Sequence, residues 1–118
     1  MSLYGEEAGD IAAVVPIAVA KGADLSTLID LAYGTVDIDW SEFTNLVGYV
    51  YPLDSDTAVA TLTVTGPQTG VVKVVLANAT TSTLAVATYR YRVWGTHTTN
   101  GVTPLLTGPF RVKAVAYL

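Results

Sequence analysis

The chain has 118 residues, 51% of them hydrophobic and 14% charged, with no cysteine and a net charge of −4. A chain of this length supports one hydrophobic core, and its apolar content is enough to offset the entropy of ordering it, so a single domain over 1–118 is expected, with 1–9 as an N-terminal arm. The missing cysteines exclude disulfides, thiolate metal sites and thiol nucleophiles, and the acidic balance argues against nucleic acid, whose phosphates need a strongly basic surface.

The first residues show no basic region followed by an apolar core, so no secretion signal is expected, and Met1-Ser2-Leu3 reads equally well as a cloning remnant. Ile11 to Ala20 is an apolar run of ten residues broken by Pro16. It falls short of the roughly 18 to 20 that cross a bilayer, so no membrane insertion is expected and the run reads as a strand. Asp24 to Asp30 reads as a capped helical turn or a loop leading into Leu31 to Ile38, and Thr44 to Tyr51 as a strand that Pro52 ends.

The second half has the clearer pattern. From Ala58 to Thr65, Ala58, Ala60, Leu62 and Val64 share one face and threonines dominate the other, before a turn expected over Gly66-Pro67-Gln68-Thr69-Gly70. Val71 to Ala77 sets Val72, Val74 and Leu76 on one face. Asn78 to Leu84 reads as a polar crossover with room for one helical turn. Val86 to Trp94 alternates Tyr89, Tyr91 and Val93 against Arg90, Arg92 and Trp94, and the last strand sets Phe110, Val112 and Ala114 against Arg111 and Lys113. Asn100-Gly101 between them suits a hairpin, while Pro104 and Pro109 point to an edge position or a bulge. Nowhere does an apolar 3.6-residue period persist, and turn signals recur about every ten residues. The fold class expected is all-β: an immunoglobulin-like β-sandwich of about seven antiparallel strands, with a partly open barrel as the alternative.

Groups for chemistry are sparse. The one histidine, His97, reads as an exposed loop residue with no marked triad partners. Asp37, Asp39 and Glu42 could sit near one another as a hard-cation site, but glycine is missing where a calcium loop needs it, and a solvated acidic turn is the plainer reading. Asn78-Ala79-Thr80 matches a glycosylation sequon without a secretion signal to support it. There is no phosphate-cradling glycine loop, no histidine pair and no carboxylate pair in apolar surroundings. No catalytic residue, metal or cofactor is expected, and the chain is not expected to be an enzyme.

Charge is segregated. All ten acidic residues lie between Glu6 and Asp56 with only Lys21 among them, so residues 1 to 56 carry −9 and residues 57 to 118 carry +5. Arg90, Arg92, Arg111 and Lys113 should share the outer face of one hairpin beside Trp94, a basic patch with an aromatic rim. Two readings follow. Either the acidic residues, Asp37, Asp39 and Glu42 among them, meet the basic patch of a neighbouring copy, or the halves neutralise each other within one molecule. Trp40, flanked by Ile38 and Phe43, is expected to pack rather than to stack on a ligand.

Residues 57 to 113 resemble the immunoglobulin-like domains of bacteriophage tail and baseplate proteins, including the N-terminal domain of baseplate upper proteins. The resemblance rests on Gly70 to Leu76, Thr80 to Leu84, Tyr89 to Val93, Asn100-Gly101 and Gly108 to Val112. It implies a virion structural component, in the phage particle or in the bacterial cytoplasm when expressed from a prophage. Such a component would act through self-association or contacts with other virion proteins, with a host receptor or glycan as a further partner. The alternative function is a cell-surface or carbohydrate-binding module in which Trp94, Trp40 or tyrosines stack on sugar rings.

Overall fold

The computed structural model describes residues 13–33, 36–99 and 101–114, with only the backbone described at 32, 33, 36 and 37. The N-terminal arm, Ile11, Ala12 and Asn100 lie outside the described residues. The elements in chain order are strands β1 (Ala13–Val14), β2 (Ile17–Ala20), β3 (Leu25–Asp30), β4 (Ala32–Tyr33) and β5 (Val36–Asp37), a 3₁₀ turn (Trp40–Glu42), strands β6 (Phe43–Pro52), β7 (Ala60–Gln68) and β8 (Val71–Leu76), helix α1 (Asn78–Thr81), and strands β9 (Ala87–His97) and β10 (Gly101–Lys113).

The protein is all-β, a curled mixed sheet in the order β1-β10-β9-β6-β7-β8-β3, with β2 also on β10 and β4-β5 as a separate ribbon. The expectation of purely antiparallel strands is corrected here, because β1 and β2 both run parallel to β10. The curl is made by β7. Its first residues pair with β6 around Gly48 to Val50, and its later ones leave β6 for β8. Alternation fills the inside of the curl: Leu62 and Val64 from β7, Val72, Val74 and Leu76 from β8, Tyr91 and Val93 from β9, and Phe110 and Val112 from β10 are all buried.

Several local expectations change. The segment after Asp24 is strand β3 with Leu25 and Ile29 buried, and the Asp24 carboxylate accepts a 2.7 Å hydrogen bond from the Asn78 N–H at the start of α1. A polar residue that looked like a local cap therefore caps a helix 54 residues away. Leu31 to Ile38 holds the β4-β5 ribbon and its flanks. Strand β7 continues past Gly66 to Gln68 through a register shift, so the turn shrinks to Thr69-Gly70. Ala58 is exposed, and the helical turn expected within Asn78 to Leu84 forms at Asn78–Thr81. Ala114 follows the end of β10 and is exposed.

The hairpin expected at Gly101 forms, with φ of 75° there, and the bulge expected from Pro104 lies between Pro104 and Leu106. Pro109 falls between the residues that pair with β1 and those that pair with β2, where its missing N–H costs no ladder bond. Opposite that gap the apolar run 11–20 breaks at Val15-Pro16. The Val15 N–H donates to the Thr107 carbonyl at 2.9 Å, and its carbonyl accepts from the Tyr91 hydroxyl at 2.6 Å.

Tyr91 is fully buried, and loss of hydration pushes its phenol up to about 12 from an ordinary 10. Its ionisation is harder in the folded state than in the unfolded one. The stability this contributes is full below pH 10 and is lost as pH rises toward about 12. The loss amounts to roughly 2 to 3 kcal/mol. Tyr91→Phe should remove that alkaline limb from a series of urea unfolding curves, while costing about 1 kcal/mol at neutral pH through the hydrogen bond to Val15.

Candidate functional site

Strand alternation places the second-half candidates as the sequence suggested. Arg90, Arg92 and Trp94 alternate with buried Tyr89, Tyr91 and Val93, while Arg111 and Lys113 alternate with buried Phe110 and Val112. Because Arg111 stands opposite Thr88 and Pro109 opposite Arg90, all five share the outer face of β9-β10. Arg92, Arg111 and Lys113 are exposed, and Trp94 is half-buried.

The pairing of β6 with β9 adds residues to this face that the sequence reading did not include. Tyr51 stands opposite Arg90, Tyr49 opposite Arg92 and Val47 opposite Trp94. The guanidinium of Arg90 lies 5.0 Å and that of Arg92 5.9 Å from the Tyr51 ring centre, so one ring supports both cations. Beside them, Asn45, Val47, Tyr49, Trp94, Gly95, Thr96 and Val102 line an open groove of about 400 Å³. The signal for Val47 and Tyr49 was their outward alternation along β6. Their meeting with Trp94 depends on a long-range register that no local pattern encodes.

The reading in which the two halves neutralise each other within one molecule finds one ion pair on this face. Arg90 is neutralised within the molecule, its Nη2 donating to the Asp56 carboxylate at 2.5 Å and to the Ser55 carbonyl at 2.8 Å. Arg92, Arg111 and Lys113 remain exposed on the face.

Asp39 is exposed and caps the 3₁₀ turn, accepting from the Ser41 hydroxyl at 2.7 Å and the Ser41 N–H at 3.0 Å. Those two bonds, the hydroxyl's first, hold its carboxyl below the usual range. Glu42 reaches within 3.8 Å of His97 Nε2. The side chain of Asp37 lies outside the described residues. Among the described residues, no three histidine, aspartate or glutamate side chains gather where they could hold a metal ion.

His97 is not an exposed loop residue. It ends β9 with 6% of its surface exposed, its Nδ1 accepts from the Thr99 N–H at 3.1 Å, and its ring meets Phe43 edge-on at 5.2 Å. The strand simply runs three residues further than Trp94 and buries it. Trp40 packs as expected. Its Nε1 donates to the Gln68 and Val71 carbonyls, and its ring lies over Gly66, where a Cβ would come within 2.4 Å. A scan against protein-family models finds no match to this chain, and no curated protein matches it.

Proposed function

We propose that the chain is a non-enzymatic assembly module with an immunoglobulin-like sandwich fold. It joins subunits of a virion, such as a phage tail or baseplate, by contacts between its basic β6-β9-β10 face and acidic surfaces of its neighbours. Strand order supports the fold part of the reading: β7-β8-β3 matches the D-E-B layer of an immunoglobulin domain and β6-β9-β10 matches its C-F-G layer. Tyr89, near the start of β9, donates to the Ala85 carbonyl at 2.8 Å in the manner of a tyrosine corner. Two residues on, buried Tyr91 stands where antibody domains carry a cysteine.

One observation carries the functional part. Arginine, tyrosine and tryptophan, the side chains that most often dominate association energy, are collected on one sheet face with cations left exposed. Like charges meeting across such a contact cost several kcal/mol. Arg92→Glu combined with Arg111→Glu should therefore weaken self-association by roughly tenfold or more in sedimentation velocity, with folding intact. Unchanged association in that variant would contradict the reading.

The aromatic walls of the groove favour one other reading, a carbohydrate-binding module in which Tyr49 and Trp94 stack on a sugar ring. Saturable quenching of tryptophan fluorescence by oligosaccharides, with no change in molar mass, would select it.

A further inference from the structure

The turn between β6 and β7 presents Leu53, 63% exposed, next to exposed Asp54. Arg90 ties this turn down through the Ser55 carbonyl and the Asp56 carboxylate, and the Thr57 N–H donates to Ser55 Oγ at 3.1 Å. An apolar side chain and a carboxylate are thus held out on a pre-ordered turn, which lowers the entropic cost of binding through them.

The groove offers complementary chemistry. Val47, Trp94 and Val102 give it apolar walls, and Arg92 precedes Trp94 on the same face of β9. Its volume of about 400 Å³ is ample for a leucine side chain. In its own molecule the turn lies off the end of the groove: β6 runs extended to Pro52, which sets Leu53 roughly 13 Å along the chain from Tyr49 at the near edge and roughly 20 Å from Val47 at 3.3 Å per residue. A second copy of the chain supplies an occupant of this description.

Resting on the assembly reading above, we infer that the β6-β7 turn of one copy docks head-to-tail into the groove of the next. Leu53 then packs against Val47, Trp94 and Val102, and Asp54 sits beside Arg92. Charge selects this arrangement. A two-fold face-to-face pair would set the exposed cations Arg92, Arg111 and Lys113 of one copy against those of the other, whereas the head-to-tail contact sets a carboxylate against a cation. Knob and groove are different surfaces, so the contact is heterologous and builds a chain or a closed ring.

The absence of native cysteine makes the test direct. Leu53→Cys and Val102→Cys replace residues 63% and 69% exposed, so both variants should fold, which thermal unfolding verifies. Mixed at low salt under mild oxidation, they should give a disulfide-linked heterodimer. The double variant should give a ladder of dimers, trimers and longer species. Leu53→Ala should weaken association roughly tenfold or more. If wild-type protein self-associates but the mixture does not cross-link, this docking is overturned while the assembly reading stands. A double variant that stops at dimers overturns the head-to-tail geometry, and protein that stays monomeric overturns both.

Discussion

Gly108→Ala is expected to destabilise the protein by about 3 kcal/mol or more and to loosen the parallel strands β1 and β2 from β10. Two independent effects act at this residue. Its φ of 154° lies where a side chain is strained, and a Cβ there would stand 2.5 Å from the Val15 carbonyl oxygen and 3.0 Å from its carbon. The obstacle is backbone rather than a flexible side chain, and that same carbonyl accepts the Tyr91 hydroxyl. Moving Val15 away would break its bond to Thr107 and leave a buried phenol with its hydrogen bond lost. Urea unfolding measures the cost. Gly101→Ala is the control, since Gly101 has a φ of 75° but nothing within 4 Å of its added Cβ, and should lose only about 1 kcal/mol. Equal losses in the two variants would show that close packing of β1 on β10 is not the cause.

Phe110→Ala should cost roughly 3 to 5 kcal/mol. Phe110 is fully buried and stands in register between Ile17 of β2 and Tyr89 of β9, so its ring bridges the parallel and antiparallel parts of the sheet. It meets Tyr91 edge-on at 6.4 Å between ring centres. Truncation removes the aromatic contact and opens a cavity that extended strands on both sides cannot close. Phe110→Leu, which keeps much of the volume, should lose far less. A loss below about 1 kcal/mol for Phe110→Ala would mean that the core does not centre on β2-β10-β9.

Period-two alternation made most of the second half legible. The buried faces of β7, β8 and β9, the hairpin at Gly101 and the bulge near Pro104 all follow from residues within one strand or turn. What escaped depended on partners far along the chain. Asp24 caps a helix that begins at Asn78, so a local reading saw a capped helical turn or a loop where a strand begins. The parallel placement of β1 and β2 required knowing that they lie beside β10, about 90 residues further along the chain. In the candidate site, the arginines and Trp94 were readable because they alternate on β9 and β10. Val47 and Tyr49 were not, because their role comes from the register of β6 against β9. His97 was misread because a threonine-rich neighbourhood suggested an exposed loop, whereas the ladder with Phe43 and Gly101 carries strand pairing through it.

The central claim is association through an exposed basic face. It is tested most directly by the molar mass of the unmodified chain from light scattering after size exclusion, at micromolar protein in low and then in high salt. The account predicts defined oligomers at low salt that dissociate as salt screens the contact between Arg92 and its acidic partner. A monomer at both salts, persisting at high concentration, would contradict it.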